Sequence, residues 1–146
     1  MTKPSDVIIS IRPNFAEAIF SGVKTIELRR RVPQLPVGTR LWIYATKPEG
    51  AVLGCALVDG VISGSLEEIW RASNDQAGVS RAEFDDYFAG SDMGIALRLT
   101  NVKRGRPVPI ANFQTIRPGF HPPQTIARIS ALESHSLNEM VFGNRL

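Results

Sequence analysis

The apolar residues of this chain come in short runs cut by glycine, proline and charge, a pattern that fits a sheet of short strands and no long helix. Val7-Ile8-Ile9-Ser10-Ile11 is β-branched and short, as a buried strand should be. Thr25-Ile26-Glu27-Leu28-Arg29 alternates, placing Ile26 and Leu28 on one face and Thr25, Glu27 and Arg29 on the other. Leu41–Ala45 is a third strand. The apolar stretch Ala51–Ile62 is a fourth, with Gly54 marking a bulge or sharp bend. Ile95–Thr100, extended toward Val102, and Thr125–Ala131 complete the set.

Helices fall between these runs. Pro13 suits a first helical position, Phe15, Ala18 and Ile19 follow at helical spacing, and Gly22 stops the helix. Ser65-Leu66-Glu67-Glu68 and Ser80-Arg81-Ala82-Glu83 have the spacing of capping boxes. They predict two short helices with buried stripes of Leu66, Ile69 and Trp70, then Phe84, Tyr87 and Phe88. Lys103-Arg104-Gly105-Arg106-Pro107 reads as a basic turn, and the prolines of 107–123 predict mostly irregular chain. Ser136-Leu137-Asn138-Glu139 predicts the start of a terminal helix that ends before Gly143. No repeat or linker divides the chain, so residues 1–146 read as one α+β domain. The expected architecture is a small mixed β-barrel with short flanking helices, its core over about 7–130 and a helical extension over 132–146.

The chain has 146 residues, 43% of them apolar and 21% charged, which is globular composition and enough to bury a core. Cys55 is the single cysteine, so no intramolecular disulfide is expected. No apolar run reaches the roughly 18 residues of a membrane span, and residues 1–6 lack the features of a signal peptide. The expected location is the cytoplasm. Net charge is +3, but residues 1–47 carry +5, residues 48–92 carry −7 and residues 93–146 carry +5. Two basic blocks that met in space would attract phosphate; a solvated surface without a partner explains the same numbers.

There is no Walker loop, dinucleotide fingerprint or nucleophile elbow, and His121, His135 and Cys55 lack zinc-ligand spacing. No metal or cofactor is therefore expected. The densest chemical cluster is Gly22-Val23-Lys24-Thr25-Ile26-Glu27-Leu28-Arg29-Arg30-Arg31. A carboxylate beside a guanidinium, with an ammonium at the strand entrance, is able to read a base edge and a phosphate together. The bland alternative is a Glu27–Arg29 pair facing water and contributing under ~1 kcal/mol. Trp42 and Tyr44 share a strand face, either as core or as rings for stacking on a base. Phe120, His121 and Gln124 sit in chain suited to a pocket mouth, and Gln124 offers both donor and acceptor. The 103–106 segment is either a solvated tip or a phosphate contact.

Gly22-x-Lys24-x-x-Glu27-x-Arg29 resembles the signature of the ASCH family, within the PUA-like superfamily. Ile9-Ser10-Ile11-Arg12-Pro13 before it, and Leu35-Pro36-Val37-Gly38, Trp42-Ile43-Tyr44-Ala45 and Pro122-Pro123-Gln124 after it, fit the same context. The resemblance implies a PUA-like barrel with a cleft beside the Gly-x-Lys loop that binds RNA or a modified nucleotide. Lys24, Glu27 and Arg29 are the expected lining of that cleft, with Arg12, Tyr44 and Gln124 as further walls. Some such proteins are hydrolases of an acetylated cytidine and others nucleases of single-stranded RNA, in which case Lys24 and Glu27 would be catalytic. In the amidohydrolases a threonine follows the lysine by three residues; here Glu27 holds that position and Thr25 follows Lys24 directly. Asp75 and Glu83 are the nearest acids to the downstream glutamate of that pattern. A regulatory module that binds a small metabolite is the third expectation. Nothing in the sequence sets an oligomeric state.

Overall fold

The computed structural model describes residues 5–143. Its elements in chain order are β1 (Val7–Ile11), α1 (Pro13–Phe20), β2 (Ile26–Arg29), β3 (Arg40–Ala45), β4 (Ala51–Ser65), α2 (Leu66–Ser73), α3 (Arg81–Tyr87), β5 (Met93–Pro109), α4 (Ile110–Gln114), β6 (Ile126–Arg128) and α5 (Ala131–Phe142). The six strands form one sheet in the order β2-β5-β4-β3-β1-β6. Only the β1–β3 pairing is parallel; the rest are antiparallel.

β1 is buried on both faces, as its β-branched run, interrupted only by Ser10, requires. Val7, Ile9 and Ile11 join a cluster with Ala16, Ile19, Ile43 and Leu53. Ile8 points the other way, into a cluster with Trp42, Tyr44, Phe113, Phe120 and Leu137. A third cluster packs Ile26, Leu28 and Ala96 of the sheet against Ile69, Phe84 and Phe88 of the acidic helices. Ser65 and Ser80 each close a complete capping box, with Glu68 and Glu83 respectively. The carboxylates of Glu67, in the first turn of α2, and Asp85, one turn along α3, both bind Arg81 on the exposed side. Of the predicted stripes, Ile69, Phe84 and Phe88 are buried, Leu66 and Trp70 half-buried, and Tyr87 exposed.

β4 and β5 form a long bent ribbon whose register shifts between Val52 and Gly54, Cys55 and Leu57, and Val58 and Gly60. Gly54 is required where the ribbon pinches. A Cβ there would lie 2.1 Å from the Lys103 carbonyl oxygen and 2.8 Å from the Phe20 ring.

Several expectations are corrected. The mixed α+β fold stands, but the sheet is not closed into a barrel, because its edge strands β2 and β6 pair only inward. β6 is three residues long, and the outer side of β2 is occupied by the Gln76 carbonyl, which accepts from Thr25 N and Ile26 N at 2.8 and 3.0 Å. Lys103–Pro107 is strand, not turn: Lys103 pairs with Cys55 and Arg104 with Gly54. β2 stops pairing at Arg98, so this length of β5 is an edge, where prolines are tolerated and basic side chains are common. The irregular chain of 107–123 contains the short helix α4. The last helix starts at Ala131, five residues before the predicted point, on a Ser130–Glu133 capping box. It ends before Gly143 as expected. The end of the anticipated extension, residues 144–146, lies outside the described residues.

Candidate functional site at the open seam of the sheet

Gly22, at φ 85°, turns the chain after α1, and the Lys24 amide then donates to the Ala18 carbonyl at 3.0 Å. This sets Lys24 at the entrance of β2 with its side chain pointing inward, only 2% exposed. Its Nζ donates to the Ala77 carbonyl at 2.5 Å, lies 3.4 Å from Glu27 Oε1, and sits 5.1 Å from the Phe15 ring centroid. Burial pushes the Lys24 pKa down from its ordinary value; the Glu27 charge pulls it back up, and Arg29 lowers it further.

The alternation of β2 is as predicted, but the polar face is buried. Glu27 and Arg29 face the interior of a cleft and not bulk water. Arg29 Nε donates to Glu27 Oε2 at 2.9 Å, and its Nη2 lies 2.8 Å from the same oxygen. Nη2 also donates to the Ser10 carbonyl at 2.6 Å. That bond joins β2, one edge of the sheet, to β1, the neighbour of the other edge. A side chain thus bridges the seam that a closed barrel would fill with strand pairing. Such buried pairs are costly to break, since a lone buried charge is left behind.

The seam opens into a cleft of about 1290 Å³ that Lys24, Glu27 and Arg29 line together with Arg12, Arg31 and Gln124. Arg12 is the exposed N-cap residue of α1, and Gln124 is exposed beside Pro123, whose carbonyl accepts from Ser10 Oγ at 2.6 Å. The α3 side of the cleft is acidic, with Glu83 and Asp86 on that helix and Asp92 shortly after it. Arg30 stacks over Tyr87 at 5.1 Å and donates to its carbonyl, tying the end of β2 to α3.

Five of the six residues expected at the site therefore meet in one cleft. Tyr44 does not line it. It is 4% exposed and packs in the cluster under α4 and α5, so the face it shares with Trp42 is core. Phe120 is also core, edge-on to Phe113 at 4.8 Å, and His121 is exposed outside the cleft. Asp75 is likewise outside, whereas Glu83 lines the acidic wall while it caps α3. Thr25 is held by its amide to Gln76, off the cleft. Sequence reasoning missed Ser10, Ala77 and Phe15. The first two act through backbone carbonyls, which leave no trace in residue type. Among the described residues, no group of three His, Cys, Asp or Glu is placed to hold a metal ion. No described helix is long and apolar enough to cross a membrane.

A seam-side cleft on an open mixed sheet, floored by the Gly-x-Lys-x-x-Glu-x-Arg residues, defines a class, and comparison with known proteins gives it a name. The family model described as the ASCH domain matches residues 9–102, and the chain belongs to that family. An ASCH domain-containing ribonuclease from Zymomonas mobilis is 35% identical over 132 residues, covering 90% of this chain and 89% of the relative. The crystal structure of ASCH from Zymomonas mobilis superposes with a TM-score of 0.90 at 34% identity, covering 94% of this chain and 96% of that one. The N-terminal domain of Staphylothermus marinus McrB shares the fold alone, with a TM-score of 0.57 at 13% identity over 91% of this chain and 92% of the other.

Proposed function

We propose that the chain binds RNA, with the seam cleft as its binding site. The observation that carries this reading is the buried Lys24–Glu27–Arg29 network opening on a cleft whose lining also carries Arg12 and Arg31, with acids on its α3 side. Phosphates would follow Arg12 and Arg31, away from Glu83, Asp86 and Asp92, because like charge repels the polyanion from the acidic wall. The polar floor and Gln124 would then meet the base or ribose. Arg29 takes up Glu27 Oε2, so Oε1, shared with Lys24, is the carboxylate oxygen with capacity left to accept from a ligand. The Zymomonas mobilis relative, named a ribonuclease, supports an RNA ligand.

The same relative favours a second reading, RNA cleavage in this cleft. Lys24 would stabilise charge developing on the scissile phosphate, and Glu27 Oε1 would accept the proton of the attacking hydroxyl as its oxygen bonds to phosphorus; the bond from phosphorus to the ester oxygen in line with it would break, that oxygen leaving with a proton from water. An amide hydrolase acting on an acylated nucleoside would use the same two groups, with water as the attacking species. Titration of wild type, Arg12→Ala and Lys24→Ala with short single-stranded RNA at two salt concentrations tests the proposal. Arg12 is exposed, so its variant isolates binding from folding. Binding should weaken and its salt slope become smaller in Arg12→Ala; unchanged binding in both variants sinks the cleft assignment. Fragments in the same mixtures that vanish with Lys24→Ala would establish the cleavage reading.

A further inference from the structure

A second concavity lies between β5 and α5. It measures about 1130 Å³ and is lined by Arg40, Asn101, Lys103 and Arg106 from the sheet side and by Ser134 and Asn138 from α5. Three features shape it. Asn101 has φ 49°, in the left-handed region, where β5 carries a bulge: Lys103 pairs with Cys55 and Thr100 with Leu57, so Asn101 and Val102 stand opposite Ala56. Bulges of this kind re-aim side chains, and here Asn101 and Lys103 both line the groove. Gly105 admits α5 at close range, because a Cβ there would lie 2.4 Å from Val141 Cγ1 and 2.4 Å from its carbonyl oxygen.

The third feature is the floor. Trp42 Nε1 donates to Ser134 Oγ at 2.9 Å, and that hydroxyl donates to Asp6 Oδ2. Asp6 is 7% exposed and lines the groove, and its Oδ1 has no hydrogen-bond partner among the described residues. An unanswered buried acceptor costs stability until a donor reaches it. The mouth has the opposite demand. Lys103 and Arg106 are exposed, and neither has an acidic partner among the described residues, whereas Arg104 is taken up by Glu17 at 2.5 and 2.7 Å.

We propose that this groove is a second contact for RNA, distinct from the seam cleft, taking phosphates on Arg40, Lys103 and Arg106 and a base edge on Asn101 and Asn138. The inference rests on the reading of the chain as an RNA-binding protein. RNA matches both demands, since its backbone is a regular polyanion and its bases carry amino donors able to answer Asp6. Asp6 and Arg12 are six residues apart at opposite ends of β1, so the two contacts lie about 20 Å apart along an extended strand. A short oligonucleotide should fill one contact, and a longer one should reach both.

The test compares a trinucleotide and a dodecanucleotide of single-stranded RNA on wild type and on the double variant Lys103→Ala/Arg106→Ala. Both substituted side chains are exposed, and circular dichroism confirms the fold. The dodecanucleotide should bind the variant about tenfold more weakly, with a salt slope smaller by about 1.4 for two lost phosphate contacts. Trinucleotide binding in the seam cleft should not change. If neither length is affected, the groove assignment falls while the seam cleft stands. Equal weakening of both lengths also overturns it, because the two contacts would not be separate. A polyglutamate peptide that displaces the dodecanucleotide from the groove as well as RNA does would remove the RNA assignment. Wild type that binds neither oligonucleotide overturns this proposal together with the reading it rests on.

Discussion

The Arg29 guanidinium donates to the Ser10 carbonyl at 2.6 Å while it holds Glu27, and so spans the one seam that the strands leave unpaired. The site exists because the sheet stays open there, and the bridge sets how far. Arg29→Lys removes the planar fork and cannot serve Ser10 and Glu27 in the same geometry. Chemical denaturation should show a loss of about 2–4 kcal/mol, since a buried carboxylate loses part of its compensation. A loss under about 0.5 kcal/mol would mean the bridge is dispensable.

Lys24 carries a charge that burial disfavours, and Glu27 partly restores it. Its Nζ, followed by NMR of labelled lysine, should titrate below the ordinary lysine value. In Glu27→Gln it should fall further, because the carboxylate that favours the ammonium is gone. The linkage sign follows: a lysine pKa lower in the folded state makes folding least favourable at low pH. Stability recovers as pH rises from the depressed folded value toward the unfolded one. An upward shift of Lys24 in Glu27→Gln would contradict the network.

Glu133 is the acid counterpart at the α5 start. Arg117 binds both its oxygens at 2.7 Å, and the Ser130 amide donates to it, holding its pKa down at about 2. This contribution is complete above the unfolded carboxylate value and is lost as pH falls from about 4.5 toward 2. Glu133→Gln should cost about 1–2 kcal/mol at neutral pH, after discounting for the partial exposure of Arg117. The variant should also flatten the acid limb of the stability curve. An unchanged acid limb would show that the pair contributes nothing.

Gly54→Ala places a methyl group against the Lys103 carbonyl, which is backbone and has no freedom to yield. Overpacking at such a point should cost about 2–4 kcal/mol and lower the melting temperature accordingly. Wild-type stability in this variant would show that the ribbon is not pinched there.

What the sequence revealed, and what it hid, has a physical pattern. Local chemistry was legible: the Ser65 and Ser80 capping boxes, the Pro13 helix start, the bend at Gly54 and the two faces of β2 all depend on neighbours within a few residues. The hidden features depend on distant chain. The 103–107 segment has the composition of a turn, yet β4 offers it a backbone ladder along an edge. Tyr44 has the chemistry of a stacking ring, but α4 and α5 cover its face. Glu27 and Arg29 were readable as a pair, while their burial was set by α1, the 76–79 loop and Ser10, none of which their own strand encodes.

The most direct test of the RNA-binding account is the affinity of purified protein for single-stranded RNA, measured against salt for wild type and Arg12→Ala. The account predicts salt-dependent binding by wild type, and in the variant a several-fold weaker affinity with a slope smaller by about 0.7, one phosphate contact. Identical affinity and slope in the two proteins, or no binding by wild type, would contradict it.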